Sequence, residues 1–163
     1  MTTVFRTMDS PIGPLTIAGD RDGTVTHLRM DGQAHAPLAR DSWIPSAQAF
    51  DVAARQLREY FEGGRRTFDF PLSLRGTPFQ LRVWEALRSI PYGETASYAE
   101  IAAAVGNAAA CRTVGLANGR NPIAIVVPCH RVVGKSGSLT GYGGGLDRKE
   151  ALLTLERECV GAQ

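Results

Sequence analysis

An apolar run in the last third of the chain is the sequence feature that most constrains the fold. It reads Ile123-Ala124-Ile125-Val126-Val127-Pro128, and Cys129 and His130 follow directly. A short apolar run of this kind is typical of a buried strand, and the proline ends it. We therefore predict a buried strand that brings one cysteine, with a histidine beside it, to a fixed place in the core.

The Cys129-His130 pair is suited to nucleophilic chemistry. A free thiol has a pKa of about 8.5, so only a few per cent of it is thiolate near neutral pH. An imidazole that reaches the sulfur, directly or through one water, can take the proton and leave a strong nucleophile. The sequence therefore predicts one reactive cysteine.

The remaining composition favours an ordinary soluble chain of one domain or two small ones. No apolar run approaches the ~20 residues that cross a bilayer, and the N-terminus lacks the basic start and apolar core of a signal peptide. We therefore expect a cytoplasmic protein with no membrane partner. The three cysteines have no paired spacing and the three histidines are scattered, so we expect free thiols and no metal site.

Positive charge is concentrated around the nucleophile. Residues 71–149 carry nine Lys and Arg against four Asp and Glu, whereas residues 1–70 carry eight against nine. A basic surface around a reactive group indicates a polyanionic partner such as nucleic acid. Ordinary charge scatter explains the same numbers, and charge alone leaves both interpretations open.

Residues 1–76 predict a small N-terminal α/β domain. The segments 15–18 and 25–28 flank a turn-rich stretch and predict a β-hairpin. Residues 31–45 have no periodicity and predict a loop, and residues 67–70 predict a further strand. Between this loop and this strand, a helix is expected from Ser46 as N-cap to Gly63 as its stop. Its apolar face would be formed by Phe50, Ala54, Leu57 and Phe61.

Residues 77–163 predict a mainly helical C-terminal domain, which makes the fold class α/β in an α+β arrangement. Three capping boxes start helices, at Thr77-Pro78-Phe79-Gln80, Ser97-Tyr98-Ala99-Glu100 and Asp147-Arg148-Lys149-Glu150. The helix from Ser97 ends at Gly106, and a further helix is expected over residues 109–118. Two short helices joined by a turn of about three residues are typical of a helix-turn-helix.

Arg112 is the one long cation in the second helix of this motif, among small residues such as Ala109, Ala110 and Gly115. Reading base edges in the major groove usually takes several polar side chains, which this helix lacks. A slim helix with one arginine suits close approach to a flat partner, or insertion of the arginine where a base has been removed. The alternative is a helix packed in the core with Arg112 in solvent.

Glu156 falls on the apolar face of the last helix, three and four residues after Leu153 and Leu152. Carboxylates are rarely buried unless they are paired, and His130 is the available partner. Such a pair predicts a Cys-His-Glu relay. The alternative is a helix rotated so that Glu156 faces solvent.

In this order, these pieces resemble the alkylguanine-DNA alkyltransferases, also called methylated-DNA–protein-cysteine methyltransferases. The resemblance covers residues 77–163 nearly end to end, and a weaker one extends to Ser10-Pro11-Ile12-Gly13-Pro14-Leu15. Its motifs are Ile90-Pro91-Tyr92-Gly93-Glu94-Thr95, Ser97-Tyr98, Arg112, Asn121-Pro122, the block from Ile125 to Val133, and Gly141-Tyr142.

The resemblance implies direct reversal of DNA damage within a C-terminal domain that contains a winged-helix-like helix-turn-helix. An alkyl group on O6 of guanine, or on O4 of thymine, in double-stranded DNA would move irreversibly to Cys129 after the base is flipped from the minor groove. The implied catalytic set is Cys129, His130, Glu156, Tyr98 and Asn121. The implied DNA contacts are Arg112, Tyr98, Thr113, Gly115 and Asn118. The implied substrate contacts are Val132, Tyr142, Gly143 and Pro128.

The resemblance further implies a protein that acts once, with no cofactor and no metal. We expect a monomer, and cooperative binding to DNA is left open. In three places the chain departs from some relatives: Gly143 stands where they carry serine, Asn118 replaces an apolar residue on the helix that faces the groove, and Cys111 adds an unusual thiol next to Arg112. Two alternative functions stay open, a Cys-His-Glu hydrolase and a sensor that binds alkylation damage with little or no transfer.

Overall fold

The computed structural model describes residues 2–31, 42–134, 137, 139, 142 and 144–161, and it has a mixed α+β fold. The N-terminal part holds a four-stranded sheet in the order β3-β2-β1-β4. Neighbouring strands are antiparallel except β4, which pairs parallel to β1. The strands are β1 (Thr3–Met8), β2 (Leu15–Asp20), β3 (Val25–Met30) and β4 (Ile44–Pro45). The predicted hairpin is confirmed as β2 and β3.

Two details of the predicted N-terminal domain are wrong. The end of the expected loop over 31–45 is the short strand β4, while residues 32–41 lie outside the described part of the chain. The segment 67–70 is not a strand, because Gln56 accepts from the backbone N–H of Asp69, a group that a strand would use, and also donates to the Asp69 carboxylate. A single parallel bridge forms later, between Leu72 and Val25.

Helix α1 (Asp51–Phe61) begins five residues after the predicted N-cap. Its start is set by Phe50, which has a left-handed backbone with φ 58°, and by Arg6, which bonds the carboxylate of Asp51 at 2.7 Å. The predicted stop at Gly63 is confirmed, with φ 84°. The predicted apolar face is partly wrong, since Tyr60 is buried whereas Phe61 is only half-buried.

Four helices form the C-terminal part: α2 (Pro78–Arg88), α3 (Tyr98–Ala104), α4 (Cys111–Gly119) and α5 (Leu146–Gly161). The capping boxes of α2 and α3 are confirmed, with Thr77 bonded to Gln80 and Ser97 to Glu100. The third box is wrong, because α5 starts at Leu146 and Asp147 lies inside its first turn. Helices α3 and α4 pack together as the predicted helix-turn-helix.

One apolar core joins the sheet to the helices. The edge strand β3 contributes directly, since the N–H of Leu28 donates to Pro122 at 2.9 Å and its carbonyl accepts from Ala124 at 3.0 Å. The segment that leads to Cys129 is thus bonded to the edge of the N-terminal sheet. None of the helices in the described ranges is long and apolar enough to cross a bilayer.

Candidate active site

The segment that carries Cys129 is a pair of tight turns, so the predicted strand is wrong. The N–H of Val126 donates to Ala124 at 2.8 Å around Ile125, which has φ 72°, a γ-turn of the rare positive-φ type. A second, ordinary γ-turn around Pro128 bonds the N–H of Cys129 to Val127 at 2.8 Å. A left-handed β-branched residue costs about 1–3 kcal/mol, so the surrounding contacts must hold this conformation.

Two buried asparagines hold these turns. The Asn121 amide donates from Nδ2 to the carbonyl of Val127 at 2.7 Å and accepts from the N–H of Ile123 at 3.0 Å. Asn118 donates from Nδ2 to the carbonyl of Cys129 at 3.3 Å. Both side chains therefore fix the backbone on which the thiol is mounted.

This position of Asn118 corrects its expected role as a DNA contact. Its side chain is only 3% exposed and lies on the inner face of α4, against the backbone of Cys129. The outer face of the helix carries Arg112, Thr113 and Leu116, with Leu116 60% exposed. Leu116 was not singled out from the sequence, although it lies one turn after Arg112.

Tyr98 lies beside the site because of a short strand pairing. After the 3-10 turn Cys129–Arg131, strand β6 (Val132–Val133) pairs parallel with β5 (Ala96–Ser97), the two residues that precede α3. The Tyr98 ring also lies against α4, since a Cβ added to Gly115 would be 3.8 Å from its Cε1. Tyr98 thus stands between the helix-turn-helix and the segment after Cys129.

Glu156 is fully buried and accepts five hydrogen bonds from four residues, one of which is the expected partner His130. The Nε2 of His130 lies 2.7 Å from Oε2, and the hydroxyl of Tyr60 donates to the same oxygen at 2.6 Å. Arg131 makes a two-pronged contact, from Nε to Oε1 at 2.8 Å and from Nη2 to Oε2 at 3.0 Å. The N–H of Gly93 donates to Oε1 at 3.3 Å.

These contacts fix the protonation state of His130. Burial alone would raise the pKa of Glu156, but the hydrogen bonds from His130 and Arg131, together with the charge of Arg131 and of His130 when it is protonated, outweigh burial and lower that pKa to about 2. The carboxylate can therefore only accept, so the Nε2 of neutral His130 carries the proton and Nδ1 is the basic nitrogen. Burial also lowers the pKa of His130, which keeps the ring neutral until a proton arrives.

The Cys129 thiol rests in its protonated form. Burial raises its pKa, and the side chains of Asn121 and Tyr142 and the charge of Lys149 act in the opposite direction without cancelling the effect. A buried thiol of this kind needs a base before it can attack. His130 is the next residue in the chain, and its Nδ1 is buried and makes no hydrogen bond within the described residues.

Three residues of this site were given no role from the sequence: Lys149, Tyr60 and Arg131, which makes the two-pronged contact with Glu156. Lys149 is fully buried and its pKa is lowered by burial, with the charge of Cys129 acting against this shift. Its position was detectable, because it lies seven residues before Glu156 on the same face of α5. Tyr60 comes from α1 and had no detectable signal, since nothing in the sequence relates it to a residue 96 positions away.

The substrate contacts expected from the sequence are distributed unevenly. Val132 and Pro128 are buried beside the thiol-bearing turn. Tyr142 is half-buried, with its hydroxyl inside the protein, and burial and the nearby Cys129 raise its pKa. Gly144 packs so closely on Tyr142 that an added Cβ would lie 2.9 Å from the ring. Gly143 lies outside the described residues.

No group of three His, Cys, Asp or Glu side chains that could hold a metal ion occurs in the ranges that the structure describes. The buried site instead combines a thiol, a neutral imidazole, a carboxylate and two cations. This combination is suited to moving one proton and forming one bond to sulfur.

Comparison with known proteins identifies two family models along the chain. Residues 3–74 match the ribonuclease-like domain of 6-O-methylguanine DNA methyltransferase, and residues 78–158 match its DNA binding domain. Together these two models cover most of the chain.

Individual relatives match over nearly their whole length. A methylated-DNA–protein-cysteine methyltransferase of Mycolicibacterium paratuberculosis is 61% identical over 94% of this chain and 92% of its own. A Methanosarcina acetivorans protein with the same name is 52% identical over 95% and 99%. The crystal structure of Mycobacterium tuberculosis OGT in complex with DNA superposes with a TM-score of 0.91 at 58% identity, covering 96% of this chain and 94% of the other.

Proposed function

The chain belongs to the 6-O-methylguanine DNA methyltransferase family and is an alkyltransferase of direct-reversal DNA repair, and we propose that Cys129 accepts the alkyl group. The substrate is O6-alkylguanine in double-stranded DNA, with O4-alkylthymine as a second target. One observation carries the assignment of the acceptor: Cys129 is followed by His130, whose Nε2 is bonded at 2.7 Å to the buried carboxylate of Glu156. This arrangement supports a relay that removes the thiol proton.

The proposed reaction is a displacement at carbon. The proton of the Cys129 thiol passes to Nδ1 of His130, directly or through one water, while Glu156 stabilises the imidazolium that forms. The sulfur then forms a bond to the alkyl carbon as the bond from that carbon to guanine O6 breaks. The electron pair of the broken bond stays on guanine, which takes a proton from solvent through Tyr98, and His130 releases the thiol proton to solvent, so no net proton is gained or lost.

The environment of the thiol supports this step. Lys149 carries a charge that lowers the pKa of Cys129, and Asn121 acts in the same direction. Both effects stabilise the thiolate at the moment when the proton leaves, although burial keeps the resting thiol protonated. The nucleophile is therefore formed when the base acts and is protected at other times.

We further propose that α4 binds the minor groove and that Arg112 takes the place of the flipped nucleotide in the base stack. The exposed position of Arg112 in the first turn of α4 supports this role, as does the small size of Ala109 and Gly115 around it. Apolar side chains are common at minor-groove contacts, and the exposed Leu116 is the residue of α4 suited to one. Flipping costs a few kcal/mol, and less for a damaged base.

In this proposal the extruded base meets the substrate contacts expected from the sequence. Tyr98 lies between α4 and the strand after the thiol-bearing turn, which suits a residue that presses on the adjoining phosphate and donates to the base. The backbone at Val132 and Pro128, with Tyr142 opposite, would then border the guanine. Thr113 and Gly115 complete the contacts of α4 with DNA.

The product is a thioether on Cys129, which none of the proposed site residues is suited to cleave. Each molecule would therefore act once, without a cofactor. We propose that it works as a monomer in the cytoplasm, and that binding to DNA is the step in which neighbouring molecules can cooperate.

A quantitative repair assay tests this proposal. The protein is mixed at several ratios with a duplex that carries one O6-methylguanine, and repaired DNA is measured against moles of protein. The proposal requires a plateau at one repaired lesion per molecule, no repair by Cys129→Ala, and normal repair by the matched controls Cys111→Ala and Cys159→Ala. Continued turnover would indicate a hydrolase, and binding without repair would indicate a damage sensor.

A further inference from the structure

Helix α1 contributes a hydroxyl to the carboxylate that supports the base. Tyr60 lies in the last turn of α1 and is fully buried, and its hydroxyl donates to Oε2 of Glu156 at 2.6 Å. The same oxygen accepts from Nε2 of His130 at 2.7 Å. Nη2 of Arg131 donates to it as well, at 3.0 Å, so three donors share Oε2, and Tyr60 is the one that comes from the N-terminal part of the chain.

This carboxylate has little accepting capacity to spare. Besides Tyr60 and His130, it accepts two bonds from Arg131 and one from the N–H of Gly93. An ionised carboxyl group offers about four lone-pair sites, so donors on one oxygen compete. A hydrogen bond from Tyr60 weakens the pull of Oε2 on the His130 proton, because each donor neutralises part of the same negative charge.

We propose that Tyr60 is a positioning residue for alkyl transfer: its hydroxyl holds Oε2 of Glu156 and limits how strongly that oxygen stabilises protonated His130. The inference rests on the proposed function, in which His130 receives the thiol proton. In this proposal a residue of α1 sets the pH above which His130 is neutral and can act as the base. A neutral imidazole is required, since a ring that is already protonated cannot take the proton of Cys129.

Other charged and titratable groups face the same pair and must be kept constant in a test. Arg131 adjoins Glu156, Lys149 of α5 acts on His130, and Tyr92 faces both Tyr60 and Glu156. Cys129 is the partner in the reaction itself. Each of these groups is retained when only the hydroxyl of Tyr60 is removed.

The variant Tyr60→Phe isolates that hydroxyl. The ring packs edge-on against Tyr92 at 6.2 Å between centroids and tilted against Phe68 at 5.6 Å, and phenylalanine keeps both contacts. Tyr92→Phe is the matched control. It removes a buried hydroxyl from the same aromatic cluster, and that hydroxyl makes no hydrogen bond to Glu156.

The decisive measurement is the pH dependence of single-turnover transfer from an O6-methylguanine duplex. Without the Tyr60 hydroxyl, Oε2 stabilises protonated His130 more strongly. The acidic limb of the pH–rate profile should therefore move to higher pH by about half a unit to one unit. Tyr92→Phe leaves the limb in place. An unchanged limb in Tyr60→Phe, or an equal shift in both variants, contradicts the inference.

A second readout does not depend on activity. The chain has only three histidines, so ¹⁵N-labelled imidazole signals can be assigned and titrated in both variants. His130 should titrate at higher pH in Tyr60→Phe alone. If that variant does not fold, 3-fluorotyrosine at position 60 keeps the ring and is a stronger donor, and it should move the acidic limb to lower pH; no shift contradicts the inference. Absence of transfer by the unmodified protein would instead contradict the proposed function.

Discussion

Asn118 donates a hydrogen bond from Nδ2 to the carbonyl oxygen of Cys129 at 3.3 Å. This contact joins the inner face of α4 to the backbone of Cys129. The outer face of the same helix carries Arg112 and Leu116. The proposed DNA-binding helix and the proposed nucleophile are therefore held in one arrangement by a buried side chain.

The first prediction concerns this contact. Asn118→Asp keeps the size of the side chain but replaces the donor with a carboxylate that faces the Cys129 carbonyl. The free energy of unfolding should fall by about 1–3 kcal/mol, since a buried acceptor loses its partner. Denaturant unfolding measures this loss. The control Asn107→Asp makes the same change at an exposed site where the side chain only accepts, from the N–H of Ala109. Equal stability of the two variants would refute the assigned role of the contact.

The second prediction separates base flipping from chemistry. Arg112→Ala should slow repair of O6-methylguanine in a duplex by about 10- to 100-fold, because the arginine no longer offsets the cost of extruding the base. Reaction with free O6-benzylguanine needs no flipping and should be nearly unchanged.

Arg120→Ala is the matched control for lost positive charge, because Arg120 is also exposed and directly follows the last residue of α4. Rates on both substrates are measured for both variants. Equal losses by Arg112→Ala on duplex and free base would contradict the flipping role.

The elements that the sequence predicted best are those with local signals. The capping boxes at Thr77 and Ser97 are set by residues three positions apart, and the pairing of Glu156 with His130 follows from helical spacing and the cost of burying a carboxylate. The burial of Lys149 could have been predicted from the same helical spacing. It was missed because a lysine is expected to face solvent.

Other features depend on contacts distant in the chain. Apolar β-branched residues at 123–127 are typical of a strand, yet Asn121 and the edge of β3 hold them in turns with Ile125 at φ 72°. Tyr60 reaches Glu156 only because the sheet and helices share one core. Tertiary contacts of this kind override local preference and cannot be read from spacing.

The third prediction concerns Lys149. The charge of Lys149 lowers the pKa of Cys129, so Lys149→Met should raise that pKa. The reaction with free O6-benzylguanine should then be slower by about tenfold for each pKa unit. Lys149→Arg keeps the charge and should retain more of the rate. Single-turnover rates at one pH measure both variants. A rate for Lys149→Met equal to that of the unmodified protein would show that the charge does not act on the thiol.

The fourth prediction concerns stability in acid. The pKa of Glu156 is lowered in the folded protein to about 2 from an ordinary value of 4.5. A carboxyl group with a depressed folded pKa stabilises the protein above its unfolded pKa and loses that contribution as pH falls towards the folded value. Between pH 4.5 and 2, unfolding should therefore become easier by on the order of 3 kcal/mol from this group.

Urea unfolding at a series of pH values measures this contribution. Glu156→Gln should be less stable near neutral pH and should lose less on acidification. Glu158→Gln changes an exposed carboxylate two residues away, and its loss of stability on acidification should equal that of the unmodified protein. If Glu156→Gln and the unmodified protein lose stability in parallel below pH 4.5, the carboxylate does not carry the assigned charge interactions.

The most direct test of the central claim is intact-protein mass spectrometry after mixing with a duplex that carries one O6-methylguanine. Transfer to Cys129 predicts a single increase of about 14 Da, saturating at one per molecule and mapped by peptide analysis to Cys129. An unchanged mass together with repaired DNA would contradict the account, because it would mean that the thiol is regenerated.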